Sequence, residues 1–497
     1  MNPQLLQDLS RFYPELAVTF ALLLVVTVDI SLTRGRRAAT FLVTALGLLA
    51  AFALSVPLFW APAGTLFYGM VAVDRMAVFF KGFLVLSSFL VLLAAPGSRE
   101  LSERQLGEFY ALLLGATLGM MLLASSVDLL MVFLSLEMVS VCSYIMVGYL
   151  RNDRQSNEAA LKYYLFGAVS TGAMLYGITL LFGLTGTTKM ALIRDMLAQG
   201  AAAGDNSLLL LVSAALILAG FGFKTAAVPF HFWCPDVYSG APTPVTAFLS
   251  VAPKAAGFAA LVRFFFTGMS ETRGLFLQWS TFSPLNWTLL ILILSIITMT
   301  LGNIAALRQD NMKRMLAYSS IAHAGYILMG VVVLNGEGIQ AILIYLITYL
   351  FMNLGAFLVV IEVYNRTGSF DLKDYRGLWR RSPFLTVSMA IFMLSLMGIP
   401  PFAGFFGKLF VFAAAVNRNL AWFAVIGALN SVVAVYYYAR VIKTMIIESG
   451  EDESLISVPL ASQALVWVMM IPTVGLVVVW EQIQKLTSQS LRLFLGA

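Results

Sequence analysis

Five ionisable side chains stand inside long apolar runs of this 497-residue chain. They are Glu137 in "FLSLEMVSVCSY" (133–144), Lys224 in "FGFKTAAVPFHFW" (221–233), Lys254 in "FLSVAPKAAGFAA" (248–260), His323 in "LAYSSIAHAGYIL" (316–328) and Lys408 in "LMGIPPFAGFFGKLFVF" (396–412). A lysine at bilayer depth costs roughly 2.5–3.5 kcal/mol on insertion scales, and intramembrane charges mark ion or proton paths by default. Carboxyl, amine and imidazole have one chemistry in common, the release and recapture of a proton. A carboxylate 4 Å from an ammonium is worth roughly 4 kcal/mol at an effective dielectric near 20, about three pKa units. A Glu137–Lys224 pair at that distance is expected to decide whether the lysine holds its proton. The plainer role for such charges is a set of buried salt bridges that fix helix packing. Three lysines and one glutamate cannot all pair, which favours the proton path.

The histidines and three other charges need separate treatment. His323 lies mid-span among small and hydroxyl residues, and His231 follows Pro229 by two positions. Imidazole titrates near neutrality and suits a proton relay, whereas interhelical hydrogen bonding is its ordinary structural use. Lys81 and Arg263 lie nearer the ends of their apolar runs and are expected to snorkel to the interface. Glu362, near a span end, is given no role.

Positioning these groups requires membrane-spanning helices. The chain is 60% hydrophobic and 11% charged, with a mean hydropathy of +0.88, against about 25% charged residues in soluble proteins. Apolar runs long enough to cross a ~30 Å hydrocarbon core recur throughout, and no barrel-like alternation is visible. The expected fold is an all-α polytopic membrane protein of about fourteen helices in a single membrane domain, 1–497. Helices 1–3 fall at 13–95, helices 4–8 at 108–268, helices 9–13 at 285–446 and helix 14 at 458–483. The first run lacks a basic leader and a small-residue cleavage site, so it is expected to be retained. Two spans look interrupted. The seventh, 207–232, runs into Pro229, and the twelfth, 383–418, contains Pro400 and Pro401; proline removes a donor and clashes with the preceding turn. Five helices apart, these two must cross in opposite directions, so helices 4–8 and 9–13 are expected to form two inverted five-helix repeats, as in secondary transporters. The proline-rich stretch 234–248 is expected to be a rigid loop.

Several function classes are excluded. Cys142 and Cys234 make no disulfide framework or metal site, two histidines are too few for paired haem ligation, and no glycine-rich nucleotide loop appears. The net charge of +6 implies no nucleic acid, because it concentrates in membrane loops. Odd-numbered loops hold 18 basic residues, among them Arg34, Arg36, Arg37, Arg104, Lys313, Arg376, Arg380 and Arg381, against 7 in even loops and termini. The positive-inside bias therefore places odd loops in the cytoplasm and both termini outside.

At this point the chain becomes recognisable. "GFKTAAVPFHFWCPDVYSGAPTPVTAFLSVAPKAAG" (222–257) resembles the proton-translocating, antiporter-like membrane subunits of respiratory complex I (NADH:quinone oxidoreductase), which are related to subunits of multi-subunit sodium/proton antiporters. Three further stretches, "LEMVSVCSYIMVGYLR" (136–151), "EAALKYYLFGAVSTG" (158–172) and "NSVVAVYYYARVIKTM" (430–445), resemble its N-type branch in particular. Lys408 supports that branch, since the M-type branch carries a glutamate there. The resemblance covers all fourteen helices. It implies broken helices 7 and 12, with Glu137 modulating its partner Lys224, Lys254 as the central connecting lysine and Lys408 as the terminal lysine of the outward half-channel. Lys162 fits a family motif on helix 6. The resemblance further implies no cofactor in this chain, with flavin and iron–sulfur clusters in partner subunits. The implied partners are other complex I membrane subunits, antiporter-like paralogues included, and membrane lipid, with quinone and NADH used by the whole complex. The implied location is the bacterial inner membrane. A subunit of a cation/proton antiporter is the first alternative, and a scaffold whose charges only hold helices is the second.

Overall fold

The computed structural model describes residues 3–101, 106–200, 206–273, 278–282, 286–450 and 454–491. Arg104 and the extreme termini lie outside the described residues.

The chain folds almost entirely into helices. In order they are α1 (Pro3–Arg11), α2 (Tyr13–Ser31), α3 (Arg36–Leu58), α4 (Arg75–Ala94), α5 (Leu106–Ser125), α6 (Leu129–Val147) and α7 (Arg154–Thr185). The middle of the chain forms α8 (Met190–Ala198), α9 (Asn206–Thr225), α10 (Trp233–Gly240), α11 (Thr243–Arg263), α12 (Trp287–Ala306), α13 (Met312–Val332) and α14 (Gly336–Thr367). The last part forms α15 (Leu378–Arg381), α16 (Pro383–Met397), α17 (Ala403–Asn417), α18 (Ala421–Ile446), α19 (Leu460–Gly475) and α20 (Trp480–Leu491). Two short antiparallel hairpins, 64–73 and 270–281, cap connections between spans. Among the described residues twelve helices are long and apolar enough to cross a membrane. Polar side chains start several of them. Asp128 accepts from Leu130 N at 2.9 Å, Asn311 from Arg314 N at 3.1 Å and Asn335 from Gly338 N at 2.9 Å, satisfying helix-end donors that have no partner within the helix.

Burial ranks the helices. The apolar windows of α11, α13 and α14 are 100%, 94% and 83% buried inside the protein, against 28% for α2 and 33% for α18. The helices that carry Lys254 and His323 therefore form the centre, shielded from lipid by their neighbours.

The interrupted spans break where the sequence places its prolines. α9 stops at Thr225, residues 226–232 form turns, and the helix resumes as α10. The stretch from 233 to 240 is thus helical, and not the rigid loop expected for 234–248; Pro235 falls in the first turn of α10, where its missing donor costs nothing. The twelfth span divides into α16 and α17 around Pro400 and Pro401. The fourteenth span is not straight either. α19 ends at Gly475, and α20 leaves it at 88°, with Pro472 inside the last turn.

Lys81 and Arg263 do not snorkel. Lys81 Nζ lies 2.6 Å from Glu15 Oε1 with both side chains fully buried. Arg263 forms a fork to Asp74 at 2.7 and 2.8 Å and donates to Ala124 O at 3.0 Å. Each meets a carboxylate at its own depth before its side chain reaches the interface. Lys313, counted among the loop charges, is likewise buried. Its Nζ donates to Ala241 O at 2.5 Å and lies 3.6 Å from Glu100 Oε1.

Candidate proton-transfer site

Lys224 occupies the last turn of α9, where carbonyls run out of intrahelical donors. Its Nζ donates to Ser140 Oγ on α6 at 3.2 Å, and the side chain is 1% exposed. Glu137 stands one turn before Ser140 on α6 and is only partly buried. It acts on Lys224 through space, but no ion pair within 4 Å joins the two among the described residues. In place of the 4 Å pair considered from the sequence, Lys224 makes a hydroxyl contact. Glu137 Oε1 is buried and has no hydrogen-bond partner among the described residues.

Lys254 projects from the fully buried α11, and its Nζ donates to Ser320 Oγ on α13 at 2.7 Å. Ser320 sits one turn before His323 on the same helix. His323 Nδ1 lies 2.7 Å from Tyr345 Oη, and Nε2 lies 3.2 Å from Tyr438 Oη. Tyr438 Oη in turn contacts Ser319 Oγ. A titratable imidazole is thus held between two phenols, and in the preceding turn Ser320 reaches Lys254 and Ser319 reaches Tyr438. Tyr349 Oη beside His323, Tyr238 Oη beside Lys254, and Asn353 Oδ1 are buried without a hydrogen-bond partner among the described residues.

Lys408, on α17, reaches back across the helix break. Its Nζ donates to Leu396 O at 3.0 Å and Met397 O at 2.8 Å, the terminal carbonyls of α16, and to Ser431 Oγ at 2.7 Å. A cation at a helix C-terminus is favoured by the macrodipole. The ammonium also lies 5.1 Å from the ring centroid of Tyr326, whose ring is 5.9 Å from that of His323. Hydroxyls and rings therefore stand between Lys254, His323 and Lys408, although no direct hydrogen bond joins Ser320 to His323 among the described residues. No comparable direct contact links Lys224 to Lys254 among the described residues, although their helices pack closely; a Cβ on Gly257 of α11 would lie 3.2 Å from Lys224 Cβ.

Two sequence candidates lie off this row. Lys162 is 38% exposed and pairs with Asp236 at 2.7 Å and Glu158 at 2.8 Å. Asp236 also pairs with Arg314 at 2.8 Å, and the group lines a polar cavity of about 310 Å³. His231 sits buried in the break after α9 against Phe232, with Nδ1 lacking a hydrogen-bond partner among the described residues. The sequence reading missed Ser140, Ser320, Tyr345, Tyr438 and Ser431. Serine and tyrosine inside apolar helices were their sole signal. Among the described residues no group of three His, Cys, Asp or Glu side chains could hold a metal ion, and both cysteines are free.

Residues 126–434 match the family described as NADH:quinone oxidoreductase/Mrp antiporter, TM. The chain is 44% identical to NADH-quinone oxidoreductase subunit N 2 of Chloroherpeton thalassium, over 97% of this chain and 94% of that protein. It is 43% identical to NADH-quinone oxidoreductase subunit N of an Anaeromyxobacter species, over 98% and 97%. A chain of respiratory complex I from Thermus thermophilus with bound aureothin shares the fold at a TM-score of 0.79 and 31% identity, covering 96% of this chain and 99% of that one. A chain of the Mrp complex from Dietzia sp. is alike in fold alone, with a TM-score of 0.82 at 20% identity over 99% and 98%. With the match across the helices that carry Glu137, Lys224, Lys254, His323 and Lys408, the chain belongs to the NADH:quinone oxidoreductase/Mrp antiporter family of membrane subunits, on its subunit N branch.

Proposed function

We propose that this chain is a proton-translocating membrane subunit of NADH:quinone oxidoreductase, moving protons outward while electron transfer from NADH to quinone proceeds in other subunits. The observation that supports the reading is the pair of polar groups, Lys254–Ser320 and His323 between Tyr345 and Tyr438, with Lys254 and His323 on the most buried helices. Lys224, Lys254, His323 and Lys408 hold and pass the proton, and Glu137 modulates Lys224. Lys162 and His231 act nearer the cytoplasmic side. Helices 4–8 (108–268) and 9–13 (285–446) form the two inverted halves of one membrane domain, with odd loops in the cytoplasm and both termini outside. The chain itself carries no redox centre. Flavin and iron–sulfur clusters belong to partner subunits, and its neighbours are other membrane subunits, antiporter-like paralogues included, in the inner membrane of a bacterium.

Two measurements on one preparation test the proposal. The chain should copurify with an NADH-oxidising peripheral arm; copurification with antiporter subunits alone would assign it to the other branch of the fold. In vesicles, Lys254→Met should leave the complex assembled and reduce NADH-driven proton pumping by at least about tenfold, given the 10²–10⁴-fold usually supplied by a positioned acid–base group. Unchanged pumping in an assembled Lys254→Met complex would reject the relay.

A further inference from the structure

Away from the polar row, α3, α4, α14 and α20 enclose a groove of about 530 Å³. Its walls are apolar, with Phe52, Phe79, Phe83 and Phe351 among them. Ser55 also faces it but donates to Ala51 O on its own helix. The other polar side chains that line it, Gln482, Lys485 and Gln489, all belong to α20.

α20 is set as an interfacial helix. It leaves α19 at 88°, the angle at which a helix would lie along a membrane that its neighbour crosses. Ile483, Thr487, Ser490 and Leu491 form its buried face, whereas Glu481, Gln482, Lys485 and Leu486 are exposed, a mixed outer face that suits the headgroup region. Gln340 Nε2, in the first turns of α14, donates to Gln484 O at 3.2 Å and Thr487 Oγ1 at 3.3 Å, fixing this level. Ile347, Leu350 and Phe351 lie 7–11 residues further along α14, about 10–16 Å deeper at 1.5 Å per residue. The groove therefore runs from a polar rim at the interface down into hydrocarbon. Trp60, 68% exposed, stands at the rim, the level at which membrane proteins place tryptophan. Arg75 donates to Phe59 O at 3.0 Å beside the same end, and Lys485 has no carboxylate within ion-pairing distance among the described residues.

We infer that this groove binds an anionic glycerophospholipid, one acyl chain lying between α3, α4 and α14 and the phosphate held by Lys485 with the Gln482 and Gln489 amides. The rim supplies cation and amide donors where the phosphate would sit, and the depth is uniformly apolar where the chain would run. The volume falls within the 300–1,000 Å³ range of small-ligand pockets. The inference does not rest on the proton-transfer reading.

The test uses the purified complex in nanodiscs of phosphatidylcholine with or without phosphatidylglycerol, counting the lipid retained after detergent exchange by mass spectrometry. Two variants report on the two ends. Lys485→Gln removes the rim charge. Gly82→Leu intrudes on the apolar end without forcing the backbone, because a Cβ at Gly82 meets only Phe52 Cε2, at 3.6 Å. The wild-type complex should retain phosphatidylglycerol in preference to phosphatidylcholine. Lys485→Gln should lower phosphatidylglycerol retention about fivefold and leave phosphatidylcholine unaffected, since an interfacial basic residue contributes ~1 kcal/mol toward anionic lipid and 1.4 kcal/mol is tenfold. Gly82→Leu should lower retention of both. Equal retention by all three proteins, a loss in Lys485→Gln that ignores headgroup charge, or side chains of a neighbouring subunit filling the groove in a map of the complex would overturn it.

Discussion

An ammonium that must release its proton cannot be replaced by a guanidinium that never does. Lys224→Arg keeps the positive charge at the end of α9, yet arginine is not deprotonated in proteins. The assembled variant should pump at least about tenfold more slowly in vesicles, and normal pumping would end the relay role of this residue. Glu137→Gln removes the carboxylate that acts on Lys224 through space and should also slow pumping, while Glu137→Asp, which keeps the charge, should retain more. A packing-only role predicts instead that an assembled Lys224→Arg complex pumps at the normal rate, because the cation that holds the helices survives. At this scale the sequence was informative about charges and silent about their partners. A lysine in "LAGFGFKTAAV" stands out against its surroundings. Ser140, which receives its hydrogen bond, does not, because serine is ordinary in membrane helices and its partner lies 84 positions away.

Elements decide whether those side chains meet. Lys408 reaches the carbonyls of Leu396 and Met397 only because α16 ends in a left-handed residue, Gly398, with φ +85°. A Cβ there would lie 2.8 Å from Lys408 Cδ. Gly398→Ala should therefore cost about 1–2 kcal/mol in backbone strain and push Lys408 off its carbonyls. Pumping should fall in a complex that still assembles, and unaltered pumping would show that the helix-end seat is dispensable. The Asp74–Arg263 fork is a second device of this kind, joining the start of α4 to the end of α11. Burial works against the charge on Asp74, yet Arg263 holds its carboxyl below the usual carboxylate range. Arg263→Met would leave that carboxylate buried and unpaired, a loss of roughly 3–5 kcal/mol, read as a lower Tm and poor assembly. Adding Asp74→Leu should recover most of it. Both breaks were legible as prolines in long apolar runs. The bend between α19 and α20 was not, because the polar residues of α20 follow an apolar run with no separating loop. Nor were the seats of Lys81 and Arg263, since their acids, Glu15 and Asp74, are distant in sequence.

Across the whole molecule, hydropathy fixes the class of fold, while the relation between its two halves depends on contacts that no local pattern encodes. α11, α13 and α14 come together at the centre because their apolar positions surround each helix, leaving no polar stripe for solvent. That arrangement carries Lys254 and His323 into the protein interior, where a proton cannot cross a dry gap the width of a helix. Ser320 bridges part of the distance. Tyr349 Oη beside His323, Tyr238 Oη beside Lys254, and Asn353 Oδ1 are all buried and without a hydrogen-bond partner among the described residues. Buried polar groups of this kind are satisfied by ordered water, each water making about three hydrogen bonds. A high-resolution map of the complex should therefore show waters against Tyr349 Oη and Asn353 Oδ1, continuing from Ser320 towards the His323 ring. Tyr349→Phe deletes one hydroxyl from that line and keeps the ring packed 5.0 Å from His323. Because the lost hydroxyl makes no hydrogen bond to another described residue, stability should change by less than about 1 kcal/mol, while proton pumping slows several-fold. The two readouts separate a water path from a packing role. A Tyr349→Phe complex that melts early and pumps normally once assembled would make the hydroxyl structural, and an unbroken apolar wall between Lys254 and His323 in every state of the working complex would remove the lateral path itself.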